Sequence, residues 1–239
     1  MRKRTYLSIA VLLICCMAGA QDLTLDGILS KHYKAIGMEN LRKANTVTMT
    51  GTIIQQDAMP AKITRMRPDK YLMEFDIQDI TGFQGYDGET AWTIAPWSGN
   101  PKPQVLPEDR ARDLRSKADF DGLLYNWKEK GHSVELVGRD TVNHALAYKL
   151  KVTKKDGGVE FYYLDTEKFT ILKRQYFRTV RGQQVAIENF FRDYRPVKGV
   201  LFAFTQETWF GGQPYNTLQF DTVLVNEPVD ASSFRMPVK

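Results

Sequence analysis

Cysteine is nearly absent from this sequence, with Cys15 and Cys16 the only two in 239 residues. Both lie in the first twenty residues, so a chain trimmed after Ala20 has no disulfide and no thiol nucleophile, and its core alone must hold it together. Histidine is scarce too. His32, His132 and His144 stand far apart, and no pair has the spacing of metal ligands. There is no Gly-x-Ser-x-Gly elbow, no phosphate-cradling glycine loop before a helix, and no His-Glu-x-x-His run. Basic residues form no dense run and alternate in sign with acidic ones, which argues against nucleic acid as a partner. Asp and Glu are plentiful, but solvated surface charge accounts for them more readily than a catalytic pair. These absences give no positive reason to expect an enzyme, a cofactor or a metal.

Long apolar runs are also missing, apart from one at the N-terminus. Arg2, Lys3 and Arg4 precede the apolar stretch Thr5 to Met17, and Ala18-Gly19-Ala20 follows with small residues. This is the pattern of a secretory signal over residues 1–20. The stretch is shorter than the about 20 residues a membrane-spanning helix needs. A lipidated Cys15 or Cys16 is the competing reading, but Ile14 is a poor residue to precede a modified cysteine. Removing residues 1–20 lowers the formal net charge from +5 to +2, so much of the apparent basicity belongs to the signal. The remainder, 21–239, is expected to be one exported domain.

What the sequence does have is aromatic residues, 12% of the total, many of them in alternating segments. Leu25, Ile28, Leu29, His32, Tyr33 and Ile36 recur at helical spacing, with Thr24 as N-cap and Gly37 as a left-handed C-terminal stop. His32 reads as a packed imidazole rather than a ligand. From Thr46 onward the period changes to two. Strands are expected over 47–54 and 61–67, with two further strands filling the stretch from Arg67 to Pro96. After an interruption they resume over 134–140, 147–153, 159–165, 171–180, 184–194, 201–210 and 217–224. Turn pairs such as Asp87-Gly88, Arg181-Gly182 and Gly211-Gly212 join neighbours directly, so the sheet should be antiparallel. Pro96, Pro101, Pro103 and Pro107 mark a surface loop over 96–107. Pro107-Glu108-Asp109 then begins a helical region expected to run to about Lys130 with a break at 119–122. Near the end, Phe234 should tuck under the sheet.

The stretch from Arg67 to Pro96 organises the rest. Tyr71, Met73 and Phe75 fall on one side of a two-residue repeat, and Trp92 and Ile94 share a face. With Phe120, Leu124 and Trp127 from the helical insertion, they make an apolar surface under a lid. An ordinary filled core would use the same residues. A broad curved sheet with one aromatic face, however, encloses more volume than short helices readily fill.

These residues also resemble a family. Arg67-Pro68-Asp69-Lys70-Tyr71 looks like the Arg-Pro-x-x-aromatic strand start of the LolA/LolB-type lipoprotein carriers. Asp87-Gly88 to Trp92 and Pro96 resembles their Asp-Gly-x-x-x-Trp-x-x-x-Pro hairpin. Phe191 to Val200 and Asn226 to Pro237 resemble later elements of the same superfamily. The resemblance implies a mainly β fold with some α, an open, curved antiparallel half-barrel whose helices cover the concave face. It implies a periplasmic carrier of the acyl chains of lipoproteins or lipids, moving them toward the outer membrane, and Arg67 as the residue that bonds lid backbone groups in the closed state. It places Tyr71 where such carriers have an aromatic used in transfer. Arg67 as a plain surface cation is the competing reading.

The expected ligand-binding set is therefore Arg67, Tyr71, Met73, Phe75, Trp92, Ile94, Phe120, Leu124 and Trp127, in a monomer, with an envelope membrane protein as a possible partner. Related half-barrels also serve as lipid- or lipoprotein-sensing regulatory modules, for which Trp209 to Tyr215 would be the partner surface. A catalytic cavity and a filled structural core are the remaining alternatives.

Overall fold

The computed structural model describes residues 23–238; the expected signal segment lies outside them. Helix α1 (Leu25–Ile36) starts where Thr24 accepts a hydrogen bond from the Gly27 N–H and stops at Gly37, whose φ of 69° only glycine adopts without strain. A single turn, α2 (Met38–Leu41), follows.

The chain then lays down one antiparallel sheet of 13 strands. These are β1 (Thr46–Ile54), β2 (Ala58–Met66), β3 (Lys70–Ile77), β4 (Ile80–Tyr86), β5 (Ala91–Ala95) and β6 (Asn100–Val105), followed by helix α3 (Glu108–Ala118). After it come β7 (Ser133–Val142), β8 (Ala145–Thr153), β9 (Val159–Asp165), β10 (Ile171–Val180), β11 (Gln183–Val197), β12 (Val200–Phe210) and β13 (Gln213–Val225). Spatial order is β6-β5-β4-β3-β2-β1-β13-β12-β11-β10-β9-β8-β7. Two wings of sequential hairpins thus meet at one ladder, β1 with β13, where Val47 pairs with Val225 and Ile54 with Thr217. The sheet does not close, because β6 and β7 are its free edges. It is the open half-barrel that the resemblance implies.

Two expectations are corrected. The proline-rich stretch is not wholly loop: after a short 3-10 turn at Pro96–Ser98, residues 100–105 form β6. Pro101 and Pro103 lack the N–H that an inner strand must donate on both sides, and an edge strand tolerates that loss. Likewise the helical region stops at Ala118, and residues 119–131 continue as successive turns. Phe120, 1% exposed, plugs into the core there instead of extending the helix.

The helices lie on the concave face. Ile28 and Leu29 of α1 pack with Leu123 and Leu124 against Leu150, Val152 and Leu164 of β8 and β9. Ala111, Leu114 and Ala118 of α3 pack on Tyr71, Tyr86 and Ala91 of the other wing. On the convex face the C-terminal segment doubles back. Phe234 is fully buried against Leu72 and Trp92, and its carbonyl accepts the Trp92 indole N–H at 2.8 Å.

Candidate functional site

Pairing decides which side chains face inward. Tyr71 pairs with Tyr86, whereas Leu72 pairs with Gly85, which in turn pairs with Trp92. Paired residues share a face, so Tyr71, Met73, Phe75 and Ile77 point into the concave side, while Leu72, Trp92 and Ile94 point to the convex side. Trp92 covers Gly85 so closely that a Cβ there would lie 2.2 Å from its ring.

The helices do not fill the space they cover. A cavity of about 930 Å³ remains, walled by Met49, Ile53, Met59 and Ile63 of β1 and β2, Met73, Phe75 and Ile77 of β3, and Phe202, Leu218 and Phe220 of the opposite wing. Tyr33, Ile36 and Met38 with Leu123 and Leu124 bound it on the helical side. Elsewhere its wall runs out to the hairpin ends at Ile77, Trp97, Phe210 and Tyr215, and the last three are exposed. Trp97 packs on Phe75 with ring centroids 5.2 Å apart.

A cationic clamp fixes the lid segment. Arg67 donates to both Asp121 carboxylate oxygens at 2.8 and 2.6 Å, to the Ala44 carbonyl at 2.7 Å and to the Leu41 carbonyl at 3.0 Å. Its guanidinium lies 4.4 Å from the Phe120 ring centroid. The fork geometry of arginine meets all four acceptors at once, which lysine cannot do. Burial would raise the Asp121 carboxyl, but the Arg67 bond outweighs it and holds it below the usual range. Beside the clamp, Arg65 donates to the Asp119 carbonyl at 2.5 Å, and the Asp119 carboxylate takes Lys130 at 2.7 Å.

Beneath α3 the wall turns ionic. Lys117 Nζ meets the Asp113 carboxylate at 3.0 Å, and Arg178 and Arg174 approach it at 3.4 and 3.9 Å. Behind them Arg174 forks on to Glu160 at 2.7 and 3.1 Å, Lys154 reaches Glu160 at 3.1 Å, and Tyr162 donates to it at 3.2 Å. Burial opposes charge on both acids. The surrounding cations prevail, led by Lys117 and Arg174 at Asp113 and by Arg174 at Glu160, and hold each carboxyl at about 2. These contacts bridge α3, which packs on β3 to β5, to β9 and β10 of the other wing.

Of the residues expected at the site, Tyr71, Met73, Phe75 and Leu124 line the cavity together. Arg67 and Phe120 sit behind the wall as the clamp and its plug, and Trp127 packs with the α1 cluster. Trp92 and Ile94 border a separate groove on the convex face. Sequence reasoning missed the ionic wall. Its traces were Asp113 and Lys117 four apart on one helix, and Arg174, Tyr176 and Arg178 alternating along one face of β10. His32 is a buried imidazole whose Nδ1 donates to the Phe169 carbonyl at 2.7 Å. Among the described residues no group of His, Cys, Asp or Glu is placed to hold a metal ion.

The open antiparallel half-barrel with helices in its concavity recurs among solved structures at low sequence identity, a likeness of fold, and three of them illustrate it. A putative outer membrane lipoprotein-sorting protein domain from Vibrio parahaemolyticus matches at 14% identity and TM-score 0.57, over 86% of this chain and 95% of that one. A LolA superfamily protein from Nitrosomonas europaea matches at 12% and 0.57, over 90% and 98%. A DUF1329 family protein from Desulfovibrio piger ATCC 29098 matches at 13% and 0.60, over 87% and 97%. No family model and no curated protein sequence matches the chain.

Proposed function

We propose that this protein is an exported, non-enzymatic carrier that shields the acyl chains of lipoproteins or lipids in its concave cavity and moves them through the periplasm toward the outer membrane. The observation that carries this reading is the unfilled volume of about 930 Å³ on the concave face, lined in large part by methionine, isoleucine, leucine and aromatic side chains. This concavity opens to solvent along part of its rim and is the size of a small-molecule site. Methionines adapt their shape and suit chains of varied length. Burying methylenes contributes about 0.8 kcal/mol each, enough to retain a long chain without covalent chemistry. The lipoprotein-sorting description of a structural neighbour supports the same reading.

Tyr71, Met73, Phe75 and Leu124 are the proposed contacts, with Arg67 holding the lid over them. A regulatory module is the second reading, favoured by the exposed Phe210 and Tyr215 pair, whose rings lie 6.3 Å apart on the hairpin next to the cavity. Native mass spectrometry of protein made in an exporting Gram-negative host, followed by organic extraction, tests the carrier. A co-purifying phospholipid or acylated peptide, lost in Met73→Asp and Phe75→Asp, is expected. A clean apo mass together with no uptake of a fluorescent fatty acid would refute it.

A further inference from the structure

The ionic wall beneath α3 is an unusual lining for a space meant only for hydrocarbon. Four cations, Lys117, Lys154, Arg174 and Arg178, share two carboxylates, Asp113 and Glu160. Glu160 is saturated by Arg174 and Lys154, which leaves Asp113 to serve the rest. Arg178 meets it only at 3.4 Å, and among the described residues the buried Arg178 Nε has no hydrogen-bond acceptor. Across the space, the buried Nε of Arg65 likewise lacks one. The nearest oxygen to the guanidinium of Arg65 is a carbonyl rather than a carboxylate. The Tyr71 hydroxyl between them donates only to the Met73 sulfur at 3.6 Å, a weak contact.

The Lys117 and Arg178 side chains keep 30% and 28% of their surface accessible, and both line the cavity. Asp113 also lines it, with its Oδ1 free of hydrogen bonds, but Lys117 and Arg178 already face its other oxygen. Excess positive charge set in an apolar enclosure is costly unless a counter-charge joins it. Arg178 and Lys117 on one side and Arg65 and Tyr71 on the other all line the cavity, alongside its methionine and phenylalanine surface.

We propose that this region is a head-group subsite, and that the cavity selects amphiphiles whose polar end is anionic, a carboxylate or a phosphate, received by Arg178, Lys117, Arg65 and Tyr71. The inference rests on the carrier reading and narrows its cargo. It says that the polar end is bound inside, against α3, rather than left at the exposed rim.

The test compares laurate, dodecyl phosphate and methyl laurate by displacement of a bound fluorescent fatty ester at neutral pH. The two anions share the chain and differ in head group, and so separate the carboxylate from the phosphate source. At least one anion is expected to bind about tenfold or more tightly than the neutral ester, the scale of one charge-assisted hydrogen bond in a dry site. Arg178→Gln should abolish that preference, read as the ratio of anion to ester affinity within the variant, and Arg178→Lys should retain most of it. Equal affinity of both anions and the ester in the wild type would overturn the subsite and leave the carrier standing. No binding of any of the three would refute the carrier itself. The wild-type comparison decides the matter even if a variant fails to fold.

Discussion

Replacing Phe234 with alanine separates the two faces of the sheet. Phe234 is completely buried, at 0% exposure, in a cluster with Leu72 and Trp92, and its carbonyl takes the Trp92 N–H at 2.8 Å. Truncating a fully buried phenylalanine costs about 3–5 kcal/mol through lost transfer energy and the cavity left behind. For a chain of this size each kcal/mol corresponds to about 2–4 °C, so Tm should fall by roughly 6–20 °C. Urea and thermal melts followed by circular dichroism, with the red shift of tryptophan emission as Trp92 becomes wet, would measure both. Because the concave wall shares no residue with this cluster, the folded variant should bind acyl ligands with wild-type affinity. A loss below about 1 kcal/mol, or a stable variant that no longer binds, would refute the assignment of Trp92 and Phe234 to a structural seal.

Three further outcomes follow from the same structure. Glu160, whose carboxyl is held at about 2 against an ordinary 4.5, stabilises the fold fully above about pH 4.5 and loses that contribution as pH falls toward 2. The shift corresponds to roughly 3 kcal/mol. Glu160→Gln should therefore be less stable than wild type at neutral pH, with a gap that closes in acid; a pH-independent gap would contradict the pairing. Arg67→Lys should lose the forked bonds to Asp121 at a cost of about 2 kcal/mol, and amide exchange over 119–131 should quicken. Unchanged protection there would show that the clamp does not hold the lid. Gly85→Ala places a Cβ 2.2 Å from the Trp92 ring and should cost about 1–3 kcal/mol. That penalty should shrink in a Trp92→Leu background, and strict additivity would rule out the contact.

Much of the fold was legible in the sequence because hairpins are local. Strands at 159–165 and 171–180 lie where the alternation and the flanking turns put them. Thr24 and Gly37 cap α1 as their side chains dictate. What sequence could not supply was which face each strand presents. Trp92 looks inward by composition. Its pairing through Gly85 to Leu72 turns it outward, and a one-residue difference in register would have reversed that. The ionic wall escaped for a different reason. Glu160 and Arg174 pair across adjacent strands, but Asp113 reaches Arg178 only because α3 spans both wings, a contact 65 residues long in sequence. Prolines at 101 and 103 suggested a loop, since a single sequence does not show that a strand will be the last in its sheet.

The single β1–β13 ladder carries a kinetic consequence. Each wing can assemble from neighbouring hairpins, but Val47 must find Val225 across 178 residues of chain, and Asn45 N–H the side chain of Asn226. Contacts so distant in sequence form late, after loop-closure entropy has been met by everything between them. The concave chamber therefore comes into being only when the last strand has been delivered. A chain truncated before β13 would present two separate curved arrays with their apolar inner faces open to solvent. Delivery of β13 and completion of the chamber are the same event.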